Sequence, residues 1–277
     1  MTVSTQPTED GSVSLSRKQT IRLVHRCIAE QTPVAVVRFG EGEGRLLAAD
    51  PSDPISVKVA IRKLRRQTGL TFSEEEMFKV KALVVTALDE ADVLGLRISA
   101  NFADEHREWG ERIAEIYEQR VTLGRKPAYL AHCMLNSDLH KALPTTLAGQ
   151  ERVSVISCRN VKATLDAKYE PSDVVTYQVP SQYVVRDVDG AYEAALHDVP
   201  IWPDFYRDLR ARVEVREKGE VFLVGAGLFG KELCIRIREL GGIALDMGST
   251  LDSMASKVTR GKRRPQFRPF PETPRLV

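Results

Sequence analysis

Apolar residues follow two rhythms along this chain. From Ser16, Ile21, Val24 and Ile28 recur at three- and four-residue spacing, which predicts an amphipathic helix. Pro33 then opens an unbroken apolar run, Val34-Ala35-Val36-Val37, ending in Arg38-Phe39, which reads as a strand. Gly40-Glu41-Gly42-Glu43-Gly44 follows as a glycine-punctuated turn. The pattern then predicts a helix over 55–67. Ser73 with Glu76 three residues on reads as a capping box, opening a helix to about Asp89. Val93–Ile98 reads as a strand, 104–120 as a helix and Ala128–Ala131 as a strand. A helix from Asp138 carries Pro144 and is expected to break or kink there.

The alternation continues toward the C-terminus. Val153–Ser157 reads as a strand, 161–167 as a short helix and Val174–Val179 as a strand. Residues 181–201 lack a clean period and read as a long connection. Pro203 suits the first turn of a helix to about 217. Val221–Val224 reads as a strand, 229–240 as a helix and Ile243–Leu245 as a last strand. Apolar runs without polar alternation suit strands covered on both faces, and alternation with helices argues for parallel βαβ units. The expected fold is α/β and Rossmann-like, a mostly parallel sheet flanked by helices. One domain over 15–256 is expected, after a polar segment, 1–14, read as disordered. The tail over 257–277 holds seven Lys and Arg against one Glu, with four prolines, and reads as a basic surface segment.

Composition narrows the function classes. A formal net charge of +2 over 277 residues gives no sign of a nucleic-acid partner. No apolar stretch approaches the ~18 residues of a membrane span. Cys27, Cys133, Cys158 and Cys234 are far apart and form no CxxC pair, so buried free thiols are expected rather than a zinc site. The N-terminus does not resemble a signal peptide, and a cytoplasmic location is the expectation. Oligomeric state is not legible.

Three motifs carry candidate chemistry. In the first, Arg38 to Gly44, two carboxylates at spacing two in an extended segment would point the same way and could hold a divalent cation against a diphosphate. A flexible acidic turn, with Glu41 or Glu43 paired to an arginine, is the alternative. In the second, Gly225-Ala226-Gly227-Leu228-Phe229-Gly230-Lys231, a G-x-G-x-x-G follows a strand and opens a helix, the context of a phosphate-cradling turn. A turn whose glycines serve packing alone is the alternative. The third is Asp246-Met247-Gly248-Ser249-Thr250-Leu251-Asp252, again at a strand end. Asp246 could take a ribose or sugar hydroxyl or act as a base, and Ser249 could donate to phosphate; helix capping is the alternative.

Singletons remain. His132 could be a general base, and Asn136 follows the same strand. Arg159 and Asn160 could reach phosphate, with a surface salt bridge as the alternative. Asn101 and Asp104 follow another strand, Asp104 suiting an N-cap. Trp109 and Tyr117 suit the core. Most of these residues follow strand ends, so a parallel sheet would gather them along one edge. An NAD(P)-dependent oxidoreductase is a rival reading of the glycine motif, but only one short strand follows it, so the motif would close the sheet rather than open it. A catalytically degenerate nucleotide-binding protein is a further alternative.

VVRFGEGEG, SVISCRN and the block FLVGAGLFGKELCIRIRELGGIALDMGSTLDSMASKVTRG together resemble the GT-D type glycosyltransferases, formerly a domain of unknown function. The resemblance spans roughly 17–262 and is clearest over 219–261. It implies a Rossmann-like domain that uses a nucleotide-sugar donor, typically a UDP-sugar, with Mn²⁺ or Mg²⁺, and transfers the sugar to a glycan or glycoconjugate acceptor. The family's Asp-x-Glu motif falls on Glu41 and Glu43, so Glu replaces the family's Asp at 41. Gly225, Gly227, Lys231, Asp246, Gly248, Ser249 and Asp252 match family positions and are carried over as donor contacts. On this reading Glu43, Asp246 and Asp252 are the catalytic candidates. Arg38, Gly40, Asn136 and Arg159 join the donor site, and Glu41 with Glu43 holds the metal.

Overall fold

The run Val34–Arg38 becomes β2, a central strand whose first four residues are all buried. Coordinates come from a computed structural model, which describes residues 13–96, 115, 129–132, 134–171, 173–180 and 199–255; the side chains of Val13, Glu41 and His132 are excluded. Apart from residue 115, the helix expected over 104–120, with Asn101, Asp104, Trp109 and Tyr117, lies outside these residues, as do Cys133, residues 181–198 and the basic tail.

Eight described strands form one sheet: β1 (Val13–Ser14), β2, β3 (Val93–Leu96), β4 (Tyr129–His132), β5 (Arg152–Ser157), β6 (Asp173–Gln178), β7 (Val221–Gly225) and β8 (Ile243–Asp246). Their order is β1-β4-β3-β2-β8-β7-β5-β6, and every strand pair is parallel. The helices are α1 (Arg17–Ala29), α2 (Glu41–Leu47), α3 (Pro54–Thr68), α4 (Glu74–Glu90), α5 (Leu135–Thr146), α6 (Lys162–Tyr169), α7 (Tyr206–Arg212), α8 (Gly230–Glu239) and α9 (Thr250–Met254).

The sheet buries both faces. Ala35 and Val37 of β2, Phe222 and Val224 of β7 and Ala244 of β8 pack toward α2, α3, α4, α7 and α8. Val34 and Val36, Val221 and Leu223, Ile243 and Leu245 pack on the other side, with α1, α5, α6 and α9. This two-period division of fully apolar strands explains their lack of polar alternation.

Four expectations need correction. Val13–Ser14, read as disordered, adds a short strand against Tyr129 and Leu130. Gly40–Gly44 is not an extended turn: it enters α2 directly, with Gly40 as N-cap. Pro144 does not break α5, which ends at Thr146; so close to the C-terminus, the missing N–H costs only one bond of the last turn. The helix expected from Pro203 to 217 is a π-turn over Ile201–Phe205 followed by α7, which ends at Arg212.

Candidate functional site

Parallel strands bring their C-terminal ends to one edge. There β2 ends in Arg38, β8 in Asp246, β7 in Gly225, and β5 leads into Arg159. From β2 the chain proceeds to β3 and β4 on one side, and it returns through β7 to β8 on the other. The β2–β8 border is therefore a topological switch point, where open α/β sheets carry their ligand crevice.

A buried ion cluster occupies that border. Asp246, 3% exposed, follows Ala244 in the two-residue alternation and so lies on the α8 side. Its Oδ2 accepts the Arg38 N–H at 3.0 Å and also the Lys231 ammonium. Lys231, in the first turn of α8, is 4% exposed, and its Nζ lies 3.5 Å from Glu43 Oε1. Glu43 Oε2 accepts the Gly40 N–H at 2.9 Å, because position 43 is the third residue of α2 and reaches back to the cap. A side chain at Gly40 would begin 3.3 Å from an Arg38 guanidinium nitrogen, so glycine lets that head group lie beside Glu43.

Burial disfavours each of these charges alone, and their neighbours outweigh it. Burial pushes the Glu43 carboxyl up, but Lys231, Arg38 and the backbone N–H groups bring it below its ordinary value. Burial pushes the Lys231 ammonium down, but Asp246 and Glu43 raise it above its ordinary value. Both groups therefore stay charged where a lone buried ion would lose its charge.

A second group lies beside the first. Arg159, 4% exposed, pairs through Nε with Asp252 Oδ1 at 2.8 Å. It is therefore not a surface arginine. Asn136, buried in the first turn of α5, donates from Nδ2 to the Met247 carbonyl at 3.5 Å. Gly248 has φ +51°, and a side chain there would begin 3.6 Å from Asn136 Nδ2 and 3.9 Å from Asp246 Oδ1. A hydrogen-bond donor and an acceptor thus flank the face that Gly248 leaves bare, an arrangement suited to a ligand hydroxyl. Ser249 is the N-cap of α9 but makes no side-chain cap bond.

The glycine motif divides in its roles. Gly227 has φ +59°, which the turn requires. Gly225 serves packing: a Cβ there would lie 2.6 Å from Leu251 Cδ1 and 3.2 Å from the Gly248 carbonyl. Gly225 thus seats α9, and Lys231 is held in the ion cluster. The motif falls late in the chain, yet β7 and β8 lie in the middle of the sheet, so it closes the sequence without closing the sheet.

Of the expected metal pair, Glu43 is the member whose side chain is described. The segment is helical rather than extended, so the two-residue alternation that would put two carboxylates on one side does not apply to it. Both Glu43 oxygens are already engaged, by Gly40 and Lys231. Among the described residues no group of three or more His, Cys, Asp or Glu could hold a metal ion. His132 ends β4 on the same edge, opposite Leu96.

Sequence reasoning missed that Lys231 joins the two acidic motifs into one cluster. Gly40-x-x-Glu43 carried a capping signal that could have revealed α2. It also missed the aromatic group of Trp202, Tyr206 and Phe229, whose ring centroids lie 5.4–5.8 Å apart.

Comparison with known proteins places this edge in context. A family model described as a GT-D fold-like domain matches residues 15–199. The chain belongs to the GT-D-like family. The matched span stops before β7, so the C-terminal block in which the resemblance looked clearest lies outside it. A selenomethionine-substituted structure of domain of unknown function 1792 is similar to this GT-D-like chain, with TM-score 0.52 and 16% identity, covering 89% of this chain and 81% of its own. A second structure, of the same domain and described as having a distinct glycosyltransferase fold, gives TM-score 0.51 and 13% identity over the same shares. These structural likenesses show the fold alone. No curated protein matched. No helix among the described residues is long and apolar enough to cross a membrane.

Proposed function

We propose that this GT-D-like protein is a glycosyltransferase that moves a sugar from a nucleotide-sugar donor, of the UDP-sugar type, to a glycan or glycoconjugate acceptor. The observation that carries the reading is the pairing of Asp246 and Asn136 around bare Gly248, beside the cations Arg38, Lys231 and Arg159. The first pair suits hydroxyls of the donor. Each of the cations lies beside a carboxylate, and Lys231 sits in the first turn of α8, where the helix dipole favours an anion.

In the reaction an acceptor hydroxyl attacks the anomeric carbon, the bond from that carbon to the diphosphate oxygen breaks, and its electrons leave with the nucleoside diphosphate. Charge grows on the leaving group, and fixed cations at a dry sheet edge stabilise it more than water would. Lys231 and Arg159 are buried, so they act through their field, while half-buried Arg38 is the cation placed to touch the diphosphate. Asp246 holds Lys231 and the backbone of β2, which leaves it unsuited to take the acceptor's proton. Asp252 and His132 are the candidates for that step.

A turnover assay tests the reading. The protein is incubated with UDP-glucose, UDP-galactose, UDP-N-acetylglucosamine or NADH and with a panel of methyl glycosides, with Mn²⁺ or with a chelator, and UDP release is followed. The expected result is UDP release that needs a glycoside and falls at least tenfold in Arg38→Ala. Oxidation of NADH without any UDP release would replace the reading with an oxidoreductase. UDP binding without release under any condition would make the chain a binding protein. The chelator arm decides the metal expectation separately.

A further inference from the structure

A cavity of about 380 Å³ opens on the α4 side of the sheet, lined by Glu76, Lys79, Trp202, Tyr206, Arg207 and Arg210, none of them part of the ion cluster. Its walls come from the first two turns of α4, the π-turn before α7, and α7 itself. Helices that precede a parallel strand begin at the strand C-terminal edge, so α4 and α7 open the cavity toward the edge that carries Asp246. Contact with the glycine turn is direct. Phe229, buried between Gly227 and Lys231, stacks on Trp202 at 5.8 Å and tilts against Tyr206 at 5.4 Å.

The cavity is built rather than incidental. The Tyr206 hydroxyl donates to Glu232, a buried carboxylate of α8. Arg210 Nε donates to the other Glu232 oxygen at 2.9 Å. Burial and the Glu232 charge raise the Tyr206 pKa, so the hydroxyl keeps its proton and the ring is held in place. On the opposite wall Glu76 is fixed by Ser73, whose N–H and hydroxyl both donate to it at 2.8 Å. Aromatic surface with oriented charged groups on both sides is the chemistry that recognises a sugar ring. The apolar C–H face lies on the indole, and the hydroxyls reach guanidinium, ammonium and carboxylate groups. Trp202 stacks on Phe229 and tilts against Tyr206, so the indole is held in place as part of the cavity wall. The volume lies at the lower end of the ~300–1,000 Å³ range of ligand clefts, enough for a small ring rather than a long chain.

We propose that this cavity is the acceptor subsite and takes a pyranose ring of the acceptor glycan, an assignment that rests on the glycosyltransferase reading of the neighbouring edge. Glu232 is its positioning residue, fixing Tyr206 and Arg210 from below. The donor stays on the Asp246 side of the glycine turn, and the acceptor reaches the edge from the Trp202 side.

Saturation-transfer NMR with methyl glucoside, methyl galactoside and methyl N-acetylglucosaminide, alongside UDP thermal shifts, tests this on wild type, Trp202→Ala, Trp202→Phe and Glu232→Gln. The expected result is saturation transfer to the C–H face of at least one glycoside. Affinity should fall at least tenfold in Trp202→Ala and be largely kept in Trp202→Phe, with the UDP shift unchanged in both. Glu232→Gln should weaken the glycoside several-fold without altering the UDP shift. Should no glycoside bind wild type, or should Trp202→Ala remove the UDP shift and spare glycoside binding, the assignment falls; the second result would give the cavity to the nucleobase. Glycoside binding that depends on Trp202 in a protein that neither binds nor turns over UDP-sugars would keep the cavity and overturn the transferase reading. A Trp202→Ala protein without a cooperative melt is set aside in favour of the Trp202→Phe and Glu232→Gln comparison, where unchanged glycoside affinity in both overturns the proposal.

Discussion

Lys231 shows how one side chain can unite motifs that are far apart in sequence. Its ammonium joins Asp246 of β8 to Glu43 of α2, all buried. Removing the cation would leave two buried carboxylates facing each other, so Lys231→Met is expected to cost about 3–5 kcal/mol in a urea titration. The pH dependence follows from the signs. Glu43 titrates below its ordinary value in the fold, so its contribution is complete above about pH 4.3 and fades as pH falls through the lower folded value. Lys231 titrates above its ordinary value, so its contribution is complete below about pH 10.4 and is lost as pH rises through the higher folded value. Stability from this cluster should therefore be flat between those limits. In Lys231→Met the acid limb should move to higher pH, because Glu43 loses its nearest cation. A pH series of denaturation midpoints checks both. That Asp246 ends a strand and that Glu43 closely follows one was legible in the sequence, but their partner was not. A lysine inside a glycine motif reads equally as a phosphate ligand, and only the fold brings Glu43 across to it.

At the scale of elements, the helices that carried their own punctuation were the legible ones. Ser73 and Glu76 form the capping box that the spacing predicts, and Ser73→Ala should lower stability by about 1 kcal/mol in the same titration. The strands were legible because both faces are apolar. α2 was not, since three glycines in five residues speak against a helix; tertiary contact overrides that preference, with Gly42 pressed against Gln67 and Lys63 of α3. The glycine turn shows the same limit. Its pattern predicts an anion cradle, but Gly225 is small so that Leu251 of α9 can reach the sheet. Gly225→Ala is expected to cost about 1–3 kcal/mol by overpacking, read as a lowered melting temperature.

The whole molecule is organised by the sheet order. Strands late in the chain, β7 and β8, insert beside β2, an early one. This brings residues about 200 apart in sequence into contact, as the hydrogen bond from Arg38 to Asp246 shows. Class and edge were legible from alternating strands and helices, but the order was not, because nothing local says which strands are neighbours. The sheet order is also why the aromatic cavity and the ion cluster share one edge. Hydrogen exchange with and without UDP-glucose tests that edge most directly. Slowed exchange confined to 38–44, 225–231 and 246–252 is the expected result. Unchanged exchange in those three segments, with protection elsewhere in the sheet, would contradict a donor site at the β2–β8 border.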